Sequence, residues 1–218
     1  MTHMNNQMTG RGYLKLYLGP MFAGKTSAIV QNYRSYIRAK KRVLVVNHAF
    51  DTRYSESNLS THDGIEIPCV FATELSLVTK MIREDYDVIL INEGQFFPDI
   101  YDTTLLWTEQ LSKMVYVCAL DGDSNREPFG EILRLIPCAD TYEKLTSICE
   151  NCGSNAPFTH RDPELSNGEK IQIGVSEFRP LCRGCFLDAT EKAKTNIESE
   201  SETKIEKDKE LKTQTQNN

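Results

Sequence analysis

Eight consecutive residues have the types and the order that are needed to hold a phosphate group. They match the pattern G-x-x-x-x-G-K-[ST], in the order Gly19, Pro20, Met21, Phe22, Ala23, Gly24, Lys25 and Thr26. Glycines allow backbone N–H groups to curl round an anion without a Cβ in the way. The Lys25 amine can reach β- and γ-phosphates, and the Thr26 hydroxyl can bind Mg²⁺. This stretch predicts a site for a nucleoside triphosphate and magnesium.

The residues on either side of this loop favour the same interpretation. Tyr13–Leu18 is strand-like, and residues 28–40 are helix-like. A helix that starts at the loop directs the positive end of its dipole at a bound phosphate. The alternative is an accidental glycine-rich turn, which would not require a strand before it and a helix after it.

Two cysteine pairs form the second chemical signal. Cys149-x-x-Cys152 and Cys182-x-x-Cys185 enclose 29 residues that are rich in polar, proline and glycine positions. Four thiolates from two tight turns supply the soft tetrahedral ligand set that Zn²⁺ prefers. The spacing predicts one zinc ion that joins the two ends of a long loop. The alternative is four unrelated buried thiols.

Three further groups of residues are weaker candidates. Asn92 and Glu93 follow a strand-like run, where a carboxylate can contact Mg²⁺ through water or accept a proton from a nucleophile. Arg53 can pair with a phosphate, although spacing alone favours a surface salt bridge. Phe96, Phe97 and Phe129 can line an apolar slot for a nucleobase, although core packing is their commoner role.

The order of the predicted elements indicates the fold class. Strands at residues 13–18, 42–47, 87–91 and 114–120 alternate with helices at 28–40, 74–83 and 104–112. This alternation predicts an α/β fold with a mainly parallel sheet, whose ligands bind at the carboxyl ends of the strands. We predict a disordered N-terminus (1–11), a phosphate-loop domain (12–141), a zinc domain (142–188) and a charged, disordered tail (189–218).

Composition narrows the classes of protein that fit. The formal net charge of -6 argues against a protein that mainly grips a nucleic acid backbone. No apolar run is long enough to cross a membrane, and the N-terminus lacks a signal-peptide pattern. Seven cysteines without a secretory signal are typical of a reducing compartment. We therefore expect an intracellular protein that binds neither nucleic acid nor membrane.

Several separate motifs together resemble the type II thymidine kinases. Besides the phosphate loop and the cysteine pairs, they are Asp51–Ser55, Thr61–Asp63, Glu93–Ile100, Ala119–Gly122, Pro128–Gly130 and Lys144–Thr146. The resemblance implies a RecA-like phosphate-loop domain and a small zinc domain whose lasso loop closes over the nucleoside. It also implies transfer of the γ-phosphate of ATP to the 5′-hydroxyl of thymidine or deoxyuridine. A cytoplasmic homotetramer that is inhibited by dTTP is the further expectation.

The resemblance also assigns roles to residues. Glu93 would be the general base, assisted by Lys25 and Arg53. Nucleotide contacts would come from the phosphate loop together with Asp51, Arg53, Asn92 and Gln95. Side chains around the thymine would be Met21, Phe96, Leu120, Ser124, Phe129, Thr159 and Phe178. The backbone of Ile171, Gln172, Ile173, Gly174 and Val175 would read the edge of the base.

Four positions depart from the family pattern. Asn92 stands where an aspartate is usual, so outer-sphere Mg²⁺ binding should be weaker. Ser124 occupies a position where the family often has phenylalanine, and this difference changes one wall of the pocket. Gly174-Val175 replaces a pair of glycines, and Phe178 replaces a tyrosine and its hydroxyl.

Two other functions fit parts of the sequence. A phosphate-loop ATPase with a zinc ribbon could act on DNA, but the chain is acidic and has no basic stripe interleaved with aromatic residues. A deoxynucleotide sensor that has lost its activity is the second, and Asn92 is its best support.

Overall fold

The computed structural model describes residues 11–50, 58–60, 64–162, 177–193 and 195. The predictions for the first ten residues and for most of the charged tail lie outside these ranges.

The main domain is built on a six-stranded sheet. Its strands are β1 (Tyr13–Leu18), β2 (Val43–His48), β5 (Val70–Ala72), β6 (Val88–Ile91), β7 (Met114–Ala119) and β8 (Thr141–Lys144). Their order across the sheet is β5-β2-β6-β7-β1-β8, and every pairing is parallel. The predicted α/β class with a parallel sheet is confirmed. β8 extends this sheet to Lys144, past the predicted domain boundary at residue 141.

Both faces of the central strands of the sheet are buried, as parallel sheets require. Leu14, Leu16 and Leu18 of β1 point into one core, and Tyr17 points into the other. The first core is covered by α2 (Thr79–Asp85), by α3 (Ile100–Leu105) and by 3₁₀ turns. The second core is covered by α1 (Lys25–Arg38) and by a hairpin of β3 (Asn58–Ser60) and β4 (Glu66–Pro68).

Two helices differ from their predicted positions. The helix predicted over residues 74–83 is a 3₁₀ turn at Leu75–Val78 followed by α2. The helix predicted over residues 104–112 begins at Ile100 and continues as a π-helical turn at Leu106–Gln110. Asp99 precedes the first residue of this helix, and its carboxylate accepts hydrogen bonds from the Thr103 hydroxyl and from the backbone N–H groups of Leu75 and Ser76. An acidic side chain before the first turn stabilises a helix start.

A smaller unit, here called the cysteine module, follows the sheet. It contains β9 (Ser147–Ile148) paired with β10 (Asn155–Ala156), β11 (Phe158–Arg161) paired with β12 (Phe178–Leu181), and α4 (183–193). Its buried core is small and consists of Cys149, Ala156, Leu181 and Phe186. None of the helices in the described part of the chain combines the length and the apolar character needed to cross a membrane.

Candidate active site and metal centre

The predicted phosphate loop lies between β1 and α1. Gly24 adopts a left-handed conformation with φ 79°, and the first α-helical hydrogen bond runs from Ala28 N–H to the Gly24 carbonyl at 3.0 Å. Glycine adopts this left-handed backbone conformation at little energetic cost because it has no Cβ. The loop therefore turns sharply into the N-terminus of α1, which is the end of a helix that favours anions.

Lys25 extends back along this loop. Its Nζ donates hydrogen bonds to the carbonyls of Gly19 at 3.1 Å and Pro20 at 2.6 Å, and the residue is only 9% exposed. Burial lowers the pKa of Lys25, while the carboxylates of Glu93 and Asp121 oppose that shift. The lysine thus sits at the centre of a small charged cluster at the carboxyl end of the sheet.

Glu93 lies in that cluster at the end of β6 with an uncommon backbone conformation. Its φ of 53° is left-handed, which a non-glycine residue adopts only where the surroundings hold it. Its Oε2 accepts a hydrogen bond of 2.6 Å from Gln95 Nε2. Gln95 Oε1 in turn accepts one of 2.9 Å from Leu120 N–H. A buried amide therefore fixes the direction of the Glu93 carboxylate.

An aromatic wall stands beside this carboxylate. Phe96 packs edge-on against Phe129 with the ring centroids 5.4 Å apart, and Phe50 meets Phe96 from another direction at 6.1 Å. Gly130 permits the approach of Phe129: its φ is 60°, and a Cβ there would lie 2.5 Å from the Gln95 carbonyl oxygen. The wall offers apolar surface of the kind that stacks on a base.

The cysteine module also contacts the phosphate loop. The Thr159 hydroxyl, on β11, accepts a hydrogen bond of 3.0 Å from Met21 N–H. Both residues were predicted to touch the base, and the structure brings them into direct contact. Phe178 lies opposite Arg161 in the β11–β12 pairing. Ser124 lies on the turn that also carries Phe129.

Asn92 is held by a neighbouring strand. Its Nδ2 donates a hydrogen bond of 3.1 Å to Asn47 Oδ1 on β2, and both residues are almost completely buried. The same Asn47 oxygen accepts the His48 N–H at 3.1 Å. Asn92 is therefore part of a neutral amide pair that ties β2 to β6.

The four predicted metal ligands converge. The Sγ atoms of Cys149, Cys152, Cys182 and Cys185 all lie within 4.8 Å of one another. Cys152 and Cys182 Sγ are 3.6 Å apart. Tetrahedral Zn–S bonds of about 2.3 Å place sulfurs about 3.8 Å apart. The donor set and its spacing therefore fit a structural zinc ion with all four positions filled by protein.

Some predicted site residues lie outside the described residues, and some contributors were not predicted. Asp51, Arg53 and the run Ile171–Val175 belong to the first group. The second includes Asn47, and Lys144, which forms an ion pair with Asp121 beside Lys25. Lys144 belongs to the motif Lys144–Thr146, but its partner Asp121 is 23 residues away in sequence. No sequence pattern indicates such a pairing.

Comparison with known proteins identifies the family of this chain. The family model for thymidine kinase matches residues 12–186. A thymidine kinase of variola virus is 37% identical over 180 residues, which cover 82% of this chain and 98% of the viral protein. A thymidine kinase of Oryza sativa subsp. japonica is 38% identical over 190 residues, covering 85% of this chain and 70% of the plant protein. Thymidine kinase a of Arabidopsis thaliana is 38% identical over 182 residues, covering 82% and 76%. The chain belongs to the thymidine kinase family.

Proposed function

We propose that this protein transfers the γ-phosphate of ATP to the 5′-hydroxyl of thymidine, and less efficiently to that of deoxyuridine. The observation that carries the proposal is the placement of two groups at one edge of the sheet. Buried Lys25 lies in a phosphate loop, and the Glu93 carboxylate beside it is aimed by Gln95. Membership of the thymidine kinase family supports thymidine as the acceptor.

The phosphate loop would hold the triphosphate. Lys25 would pair with its β- and γ-phosphates, and Thr26 would bind Mg²⁺. Asp51 and Arg53 would complete the nucleotide contacts, and Asn92 would stand close to the metal without a charge. Phosphoryl transfer passes through a loose transition state, so most of the rate gain would come from this positioning and charge stabilisation.

Glu93 would act as general base. A 5′-hydroxyl is a poor nucleophile at neutral pH, and a fixed carboxylate can accept its proton as the new P–O bond forms. The hydrogen bond from Gln95 supports this role because it restricts the carboxylate to one direction. We therefore assign Gln95 to positioning of the base.

The nucleoside pocket would use the aromatic wall and the contact between the phosphate loop and the cysteine module. Phe96 and Phe129 would enclose the base, with Met21, Leu120, Ser124, Thr159 and Phe178 around it. The backbone of residues 171–175 would read its edge, which would admit thymine and uracil and reject purines. Loss of the thymine methyl removes about 1 kcal/mol, so deoxyuridine should be the weaker substrate.

Zinc and subunit assembly complete the proposal. One Zn²⁺ bound by the four cysteines would fix the cysteine module, and dTTP would inhibit as an end product. A cytoplasmic homotetramer is the expected assembly. β8 supports association, because it is an edge strand whose four residues are exposed, and such edges invite pairing. Light scattering after size exclusion would measure the subunit number.

One assay distinguishes the proposed reaction from the alternatives. ADP formation is measured with Mg²⁺-ATP and either thymidine, DNA or no acceptor. The proposal predicts turnover that depends on thymidine, with weaker turnover on deoxyuridine. Turnover stimulated by DNA alone would indicate a DNA-dependent ATPase, and ATP binding without turnover would indicate a sensor. Deoxyguanosine turnover equal to that of thymidine would contradict the proposed pocket.

A further inference from the structure

Arg126 lies at the tip of a tight turn, residues 121–130, here called the pocket turn. The turn is closed by hydrogen bonds between Asp123 and Glu127 and by a bridge between Gly122 and Pro128. Arg126 itself has φ 65°, a left-handed conformation that is uncommon for a residue with a side chain. Such a conformation persists where surrounding contacts hold it.

The contacts of the Arg126 side chain are in the cysteine module. Its guanidinium carbon lies 4.6 Å from the ring centroid of Phe186 and 5.5 Å from that of Phe158. The two rings pack against each other with centroids 5.6 Å apart. A guanidinium over an aromatic face at these distances is a favourable cation–π contact.

Both rings belong to residues that adjoin the proposed metal ligands or the phosphate-loop contact. Phe186 directly follows Cys185, and its N–H donates a hydrogen bond of 2.9 Å to the Cys182 carbonyl. Phe158 precedes Thr159, whose hydroxyl accepts the hydrogen bond from Met21 in the phosphate loop. At its other end, the pocket turn carries Phe129 against Phe96. Arg126 therefore joins the metal-binding sulfurs to the aromatic wall of the site.

We propose that Arg126 is a positioning residue that couples the cysteine module to the nucleoside pocket. Its cation holds the pocket turn, and therefore Phe129, at the place set by Phe186 and the adjacent metal ligands. This inference rests on the proposed function, because it takes Phe129 as a wall of the base pocket. It requires no contact between Arg126 and either substrate.

Arg126→Gln tests the coupling because it keeps a polar, hydrogen-bonding side chain, although a shorter one, and removes the cation. Losing two exposed cation–π contacts should raise the thymidine KM about threefold to tenfold. The kcat and the ATP KM should stay within about twofold, because Lys25 and Glu93 are untouched. Arg126→Lys retains the charge and should restore part of the affinity. An unchanged thymidine KM in Arg126→Gln would overturn the proposal.

Arg183→Gln is the matched control. The Arg183 guanidinium carbon lies 4.9 Å from the Phe158 ring centroid, but Arg183 belongs to the cysteine module itself. Removing its charge takes a similar contact from the same ring without releasing the pocket turn. The thymidine KM of this variant should be unchanged, and a rise equal to that of Arg126→Gln would show that charge near the rings is what matters.

A second readout does not depend on activity. Hydrogen exchange of the Asn125, Arg126 and Glu127 amides, which bond to Asp123, should be several-fold faster in Arg126→Gln. Phe186→Leu keeps an apolar side chain and should have the same effect with zinc content unchanged. The double variant should add little to either single change, because both remove one interaction. Fully additive effects would overturn the coupling.

Phe129→Ala separates this inference from the proposed pocket. A thymidine KM unaffected by Phe129→Ala would contradict the pocket assignment. A raised KM in Phe129→Ala together with normal exchange and a normal KM in Arg126→Gln would overturn the role of Arg126 alone.

Discussion

The sheet domain and the cysteine module are stabilised in different ways. The sheet domain buries two apolar layers, with residues such as Leu16, Ile91 and Trp107 fully inaccessible. The module has four buried core residues, one of which is Cys149, a proposed metal ligand. Small units that cannot bury enough apolar surface usually depend on metals or disulfides.

The two regions also divide the proposed work. The sheet domain holds Lys25 and Glu93, which would act on the phosphate and on the attacking hydroxyl. The module contributes Thr159, which is hydrogen-bonded to the phosphate loop. We infer that the rate of phosphoryl transfer depends on the packing of the sheet domain. Thymidine affinity would depend on zinc bound in the cysteine module.

Loss of zinc should separate the regions most clearly. Cys182→Ser removes one of four ligands, and structural zinc can contribute on the order of 10 kcal/mol to folding. The module should lose its fixed structure and the thymidine KM should rise, while the sheet domain retains its circular dichroism and ATP binding. Cys138→Ser, which lies outside the metal cluster, is the control and should retain zinc by elemental analysis. Active protein without zinc would rule out the metal site.

A cavity in the sheet domain should lower the stability of that domain and leave zinc binding by the cysteine module unchanged. Ile91→Ala removes a fully buried side chain from the strand that carries Asn92 and Glu93, and such truncations typically cost about 2–5 kcal/mol. Urea denaturation should show a lower midpoint with no change in zinc content of the folded protein. Zinc loss from this variant under native conditions would show that the stability of the cysteine module depends on the packing of the sheet domain.

Asn92→Asp tests the amide pair that joins β2 to β6. The new carboxylate would face Asn47 Oδ1, now 3.1 Å from the Asn92 amide nitrogen, and the lost buried hydrogen bond should cost about 1–3 kcal/mol. The restored charge should still lower the Mg²⁺ concentration needed for half-maximal rate. Asn92→Ala removes the same bond without adding a charge and should be less destabilised. Equal stability of Asn92→Asp and wild type would show that Asn47 does not hold this position.

The smallest effect should come from an exposed ion pair at the other end of the sheet. A side-chain hydrogen bond from Arg42 lowers the pKa of Asp87. A carboxyl with a lowered pKa in the folded state stabilises the fold above its ordinary pKa, and this contribution is lost as pH falls through the folded value. Arg42→Ala should slightly lower the urea midpoint at pH 7. The difference from wild type should shrink as pH falls from about 5 toward 3.

The sequence predicted features that depend on local pattern. The phosphate loop, the buried strands and the cysteine pairs are each read from adjacent residues, and the structure contains all of them. β8 was missed because Thr141–Lys144 is exposed and has no apolar run, although it pairs with β1. Its place in the sheet is set by β1, which is more than a hundred residues away in sequence.

The rest of the site depends on contacts between distant residues. Gln95 is two residues from Glu93. Its second partner, Leu120 N–H, is 25 residues away. Asn47 and Asn92 are 45 residues apart, and Thr159 is 138 residues from Met21. An amide or hydroxyl has no sequence pattern that identifies its partner. The orientation of the Glu93 carboxylate and the contact between the cysteine module and the phosphate loop therefore could not be predicted from the sequence.

The most direct test of the proposed mechanism is Glu93→Gln, measured by steady-state kinetics at saturating ATP. Glutamine keeps the size of the side chain and can still hydrogen-bond to Gln95, but it cannot accept the proton of the 5′-hydroxyl. General-base help typically contributes about 10²–10⁴-fold, so kcat with thymidine should fall by a factor in that range while ATP binding is retained. A Glu93→Gln enzyme within a few-fold of the wild-type kcat would contradict the assignment and leave catalysis to the phosphate-binding groups alone.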